Sequence, residues 1–132
     1  MLEVDALSSR YGRITALSEV SLRVDDGELV ALVGANGAGK STLLRALSGV
    51  QPIAAGSVRF EGSDITKMSS RDRVRMGIVQ VPEGRQVFPE LSVVDNLRLG
   101  AFTRGDAAPD EIEAILARFP KLSARRGHRA LR

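Results

Sequence analysis

The chain has 132 residues, 43% of them apolar and 27% charged, with no cysteine and a net charge of +3. That is enough chain for one domain with a buried core, and the lack of cysteine excludes a disulfide scaffold or thiolate metal centre. Mild charge, 4% aromatic content and no tryptophan argue against a nucleic-acid partner.

No apolar run approaches the roughly 18–20 residues of a membrane span, and the N-terminus lacks a signal-peptide layout. A cytoplasmic setting is expected. Residues 2–7 alternate apolar and polar, as a half-exposed strand does. Tyr11-Gly12 makes a turn, and residues 17–24 form a second strand, with Val20, Leu22 and Val24 on one face; its wet face suits an antiparallel layer. Asp25-Asp26-Gly27 is a turn signal. It leads into residues 28–33, an apolar and β-branched run that reads as a buried parallel strand.

Gly34-Ala35-Asn36-Gly37-Ala38-Gly39-Lys40-Ser41-Thr42 follows at once and has the form G-x-x-x-x-G-K-S. Glycine lets the backbone take positive φ and approach a ligand closely. Successive N–H groups and a helix N-terminus then form an anion cradle. Lys40 would bring its ammonium to the β- and γ-phosphates, Ser41 would ligate Mg²⁺, and Thr42 would add a hydroxyl toward the α-phosphate. A glycine-rich turn that binds nothing is the bland alternative. The expected strand before the loop and the helix of residues 41–49 after it favour a nucleotide-phosphate site.

Residues 51–56 read as a loop, residues 57–62 as an alternating strand, and residues 63–66 as a connection. Ser69 is placed to cap a short helix over residues 70–76. Its Arg71, Arg73 and Arg75 share no helical face and read as solvated charges. Residues 77–81 form a short apolar strand stopped by Pro82-Glu83-Gly84-Arg85. Polar groups at such a strand end are well placed for a site, which makes Gln80, Glu83 and Arg85 candidates against plain loop solvation. Ser92 caps a helix through about Leu99, and residues 103–108 are a polar loop. Pro109 opens a helix through Arg118 or Phe119 with Ile112, Ile115, Leu116 and Phe119 on one face. Residues 123–132 are basic and weakly patterned, a linker or fraying tail in which His128 is an exposed residue.

Residues 33–44 resemble the phosphate loop of ABC-type ATPases, and the setting agrees: Tyr11-Gly12 and the run of residues 17–24 before the loop, Gly56-Ser57-Val58 and Gly62-x-Asp64-Ile65-Thr66 after it. Val81-Pro82-Glu83-Gly84-Arg85, Phe88-Pro89, Leu91-x-Val93-x-x-Asn96-Leu97 and Phe119-Pro120-Lys121-Leu122 resemble more narrowly the LivF-type ATPases of branched-chain amino-acid importers. The resemblance implies an α/β P-loop NTPase fold, an ABC-type core with a small antiparallel β layer. It implies ATP and Mg²⁺ as cofactors, with Tyr11 stacking on adenine and the backbone from Asn36 to Ser41 around the phosphates. Glu83 stands where the family usually has a glutamine that senses Mg²⁺ and the attacking water. The implied partners are membrane permease subunits and a second ABC ATPase subunit, like or unlike, at the inner face of the membrane.

The resemblance also implies that these residues are the N-terminal part of one nucleotide-binding domain, with the phosphate loop at 34–41, a partial helical region at about 88–120 and the C-terminal half absent. The Leu-Ser-Gly-Gly signature, the Asp-Glu strand end and the switch histidine do not occur in the chain. Two expectations follow from that. The parent protein is an ATPase while the 132 residues alone turn over weakly or not at all, and the apolar runs at 29–33 and 78–81 lie exposed as unpaired edges.

Overall fold

The alternation at the N-terminus builds the sheet on which the rest of the first unit stands. The structure is a computed structural model that describes residues 1–130. It divides into two compact units, Met1–Val81 and Pro82–Arg132.

In the first unit, β1 (Leu2–Tyr11) lies between β2 (Ile14–Val24) and β3 (Ala55–Phe60), and β4 (Ser63–Asp64) pairs with β3. Every pairing is antiparallel, in the order β2-β1-β3-β4. The register sets Val4 between Leu22 on one side and Val58 on the other, and Leu7 opposite Val20. Apolar side chains of three strands therefore share a face. Bulges break the register after Val4 and Asp5. There Gly56 passes so close that a Cβ would meet the Ala6 carbonyl oxygen at 2.3 Å, which is why a residue without a side chain stands at φ +83°.

The helix α1 (Lys40–Leu47) lays Leu43 and Ala46 on that face. With Val4, Leu7, Leu17, Val58 and Ile65 they form the core. Each large aliphatic side chain so buried contributes about 1.5–3 kcal/mol. The next helix, α2 (Ser70–Arg75), begins as the sequence predicts: the Asp72 N–H donates to Ser69 Oγ at 3.2 Å.

Three expectations for this unit are corrected. Residues 28–33 and 77–81 form no strand, because no neighbouring strand among the described residues offers them a hydrogen-bond ladder. An apolar run becomes a strand only when another backbone pairs with it. Leu29 and Val33 are instead 97% and 94% exposed, and Val79 and Val81 74% and 89%, as the resemblance implied for unpaired edges. The third correction is Arg73, which is 2% exposed rather than solvated. Its guanidinium turns inward onto main-chain carbonyls, while Arg71 and Arg75 stay exposed.

In the second unit, α3 (Val93–Gly100) starts at Ser92, whose hydroxyl accepts from the Asp95 N–H at 3.1 Å. A 3₁₀ turn (Gly105–Ala107) leads into α4 (Ala108–Arg118), with Pro109 in its first turn. Ile112 and Leu116 are buried; Ile115 and Phe119, the other half of the predicted stripe, are exposed. The helix α5 (Pro120–Ser123) is a single turn.

As far as Ala130 the basic tail does not fray, and its last two positions lie outside the described residues. The first N–H groups of a helix have no acceptor in their own helix. In α3 those of Val93 and Val94 donate to the carbonyls of His128 and Arg126, each at 3.0 Å. The Ala130 N–H donates to the Leu91 carbonyl at 2.9 Å, so the tail crosses the start of α3. The His128 side chain is exposed, as its sequence position suggested.

Candidate functional site

The loop of residues 34–39 enters α1 through Gly39, a left-handed N-cap at φ +93° with no side-chain cap. A Cβ on Gly39 would meet Leu17 Cδ2 at 2.7 Å and the Ala16 carbonyl oxygen at 2.8 Å. The end of the loop is thus seated against β2, and only glycine satisfies both the backbone angle and the space. Earlier in the loop, the Ala38 N–H closes a turn on the Ala35 carbonyl at 3.1 Å, and Gly37 stands at φ +84°.

The first bond inside α1 runs from the Leu43 N–H to the Gly39 carbonyl, 2.9 Å. The N–H groups before it therefore belong to the loop side of the helix. Lys40 Nζ folds back over the loop and donates to the Ala35 carbonyl at 2.8 Å and to that of Gly34. Ser41 is exposed on the first turn, and Thr42 is buried under it.

The first turn of α1 differs in charge from those of α2, α3 and α4. The helices α2, α3 and α4 each carry an acid in the first turn, and α2 and α3 add a serine cap. The N-terminus of α1 has a glycine, no acid and the ammonium of Lys40. No acid in its own first turn offsets the positive end of this helix. A helix N-terminus of this kind with a lysine ammonium beside it suits an anion with several oxygens.

Tyr11 ends β1 and pairs with Ile14 at the start of β2. Gly39 packs on Ala16 and Leu17, a few residues further along β2. The β1–β2 turn with its half-exposed Tyr11 and the seat of the loop therefore occupy the same end of this hairpin. Gln80 is not a solvated loop residue: its Oε1 accepts from Ser48 Oγ at 2.8 Å, just past the other end of α1. Glu83 lies in the second unit, exposed on a turn with Gly84, and Arg85 beside it has φ +48°. Among the described residues no group of three or more histidines or carboxylates gathers in a way that would hold a metal by itself. A hydroxyl such as that of Ser41 suits Mg²⁺ where phosphate oxygens and water complete the shell.

Sequence reasoning missed Arg73, because burial of an arginine on carbonyls leaves no periodic trace. It also missed the clasp at the start of β3, where Ser9 Oγ donates to the Pro52 carbonyl at 2.8 Å and Gln51 Nε2 to the Arg10 carbonyl at 2.9 Å.

The antiparallel layer, the glycine loop and the helix that grows from it define a P-loop NTPase fold. The chain belongs to the ABC transporter family, whose profile matches residues 17–130. It is 46% identical over 131 residues to the high-affinity branched-chain amino acid transport ATP-binding protein BraG of Pseudomonas aeruginosa, covering 98% of this chain and 56% of that protein. A probable branched-chain amino acid transport ATP-binding protein, LivF of Archaeoglobus fulgidus, is 34% identical over 125 residues, which are 94% of this chain and 53% of the relative. Among solved structures, the ADP conformation of MJ1267, an ATP-binding cassette of an ABC transporter, superposes with a TM-score of 0.80 at 29% identity, over 98% of this chain and 57% of that one. The chain spans about half the length of the curated relatives it matches.

Proposed function

We propose that the chain carries the ATP-phosphate site of an ABC ATPase subunit that energises import of branched-chain or related amino acids. The observation that carries this reading is the seat of Gly39 against β2, which fixes the loop and places Lys40 over it. The 46% identity to a branched-chain amino-acid transport ATP-binding protein supports the choice of solute class.

In this reading the backbone N–H groups from Gly34 to Ser41 and the Lys40 ammonium hold the phosphates. Lys40 exchanges its bonds to the Gly34 and Ala35 carbonyls for bonds to phosphate oxygens. The Ser41 hydroxyl ligates Mg²⁺, the Thr42 hydroxyl adds a contact toward the α-phosphate and Tyr11 stacks on the base. Bound Mg-ATP supplies the phosphoanhydride whose cleavage resets the transporter. Glu83 orients water or ligates metal through the position usually held by glutamine. Exposed Phe88 and half-buried Leu91 face the permease, and a second ABC ATPase subunit completes the dimer. No helix among the described residues is long and apolar enough to cross a membrane; the proposed place is peripheral, on the inner face.

A second reading is favoured by the exposed apolar run at 29–33 and exposed Val79 and Val81, together with the half-length match. In it the chain binds Mg-ATP without turnover. Calorimetry of Mg-ATP into the chain, run beside a phosphate-release assay on the intact parent protein, separates the two: binding with release by the parent supports an ATPase, binding without release by the parent supports the second reading, and no binding refutes both.

A further inference from the structure

We infer that Arg73 is a positioning residue for the phosphate loop, acting through the far end of α1, an inference that rests on the phosphate-site reading above. A guanidinium has five N–H donors in a rigid fork. In Arg73 all of them meet main-chain carbonyls: Nη1 donates to Ala46 and Leu47, both at 2.8 Å, Nη2 to Ile65 at 2.7 Å and Thr66 at 3.0 Å, and Nε to Met68 at 3.1 Å.

The two prongs hold different elements. One grips the last turn of α1, where carbonyls lack N–H donors within the helix. The other grips the segment that leaves β4, next to buried Ile65. No carboxylate is among these partners. The charge is balanced by carbonyl dipoles and by the negative end of α1, and burial pushes its pKa below the usual arginine value.

The leverage comes from length. Eight residues make a helix of about 12 Å. Gly39 pins its first end on β2, Leu43 and Ala46 pin its middle on the sheet, and Arg73 pins its last turn. A tilt at the last turn swings Lys40 and Ser41 at the first. Gly49, just past the helix, lies so near that a Cβ there would meet Arg73 Nε at 3.1 Å, leaving the guanidinium no alternative seat on that side. Lysine offers three donors on one point and cannot serve both prongs.

The test uses the full chain with Mg-ATP as probe. In the wild-type chain, nitrogen-15 NMR of the Arg73 Nε–H is followed as Mg-ATP is added, since coupling between two sites is reciprocal. Arg73→Lys is then titrated with Mg-ATP and its bound phosphates read by phosphorus NMR, and Arg73→Ala is titrated with and without free guanidinium. The positioning role predicts a shifted Nε–H resonance and displaced phosphorus lines. It also predicts affinity about fivefold weaker in Arg73→Lys, and affinity regained by Arg73→Ala in guanidinium. An unmoved Nε–H resonance on saturation overturns it, as does an Arg73→Lys chain that is less stable yet keeps wild-type affinity and phosphorus lines. Failure of the underlying reading looks different: the wild-type chain does not bind Mg-ATP, or Lys40→Ala binds it as well as the wild type does.

Discussion

Replacing Gly39 with alanine tests the seat of the loop most sharply. Two costs add. A non-glycine residue held at φ +93° loses about 1–3 kcal/mol. The new Cβ would also lie 2.7 Å from Leu17 Cδ2 and 2.8 Å from the Ala16 carbonyl oxygen. The first of these neighbours is a buried core side chain and the second is backbone in β2, so neither yields cheaply; overpacking of this kind costs typically about 1–3 kcal/mol. A loss of about 2–6 kcal/mol is therefore expected for Gly39→Ala. Gly37→Ala supplies the control, because Gly37 has φ +84° but nothing within 4 Å of an added Cβ. It incurs the first cost alone. Urea unfolding of the two variants, followed by circular dichroism, gives the difference directly. If Gly39→Ala were no less stable than Gly37→Ala, the loop would not be seated on β2 and the geometry built on that seat would fall.

Tyr11→Ala should weaken Mg-ATP by about 1–3 kcal/mol while leaving inorganic tripolyphosphate untouched; equal losses in a paired titration would remove the stacking role. Asp64, Asp95 and Glu111 are held below the usual carboxylate range, Asp64 by the Thr66 hydroxyl, Asp95 by the Ser92 hydroxyl and then Arg98, Glu111 by Arg104. A depressed folded pKa gives stability that is present above the unfolded value and lost as pH falls through the folded one. Acid unfolding should therefore steepen below the ordinary carboxylate range, and Asp95→Asn should flatten the part of that slope that reports the second unit. Lysine at Val33 or Val79 should reduce self-association, because both positions present exposed apolar side chains on unpaired backbone. Light scattering that did not fall would show that these edges are not what associates.

The parts of the fold that sequence reasoning reached are those fixed locally. The caps at Ser69 and Ser92 lie three residues before the acids that complete them, and both helices start there. The loop from Gly34 to Lys40 owes its shape to glycines at positive φ, which leave a direct mark in the residue string. Residues 28–33 and 77–81 failed as strands because strand formation depends on a partner, and apolar composition cannot supply one. Arg73 and the tail were illegible for the same reason. Each satisfies hydrogen bonds of distant backbone, Arg73 at Ala46 and Ile65, the tail at Val93 and Val94. Half of the stripe on α4 also depended on neighbours, which cover Ile112 and Leu116 but not Ile115 and Phe119.

The central claim is that the loop entering α1 holds nucleotide phosphates through Lys40. Titration calorimetry of Mg-ATP into the chain and into its Lys40→Ala variant tests it directly. The account predicts saturable binding by the wild-type chain and a loss of about 2 kcal/mol or more, roughly thirtyfold in affinity, in the variant. Equal affinity in the two proteins would contradict it.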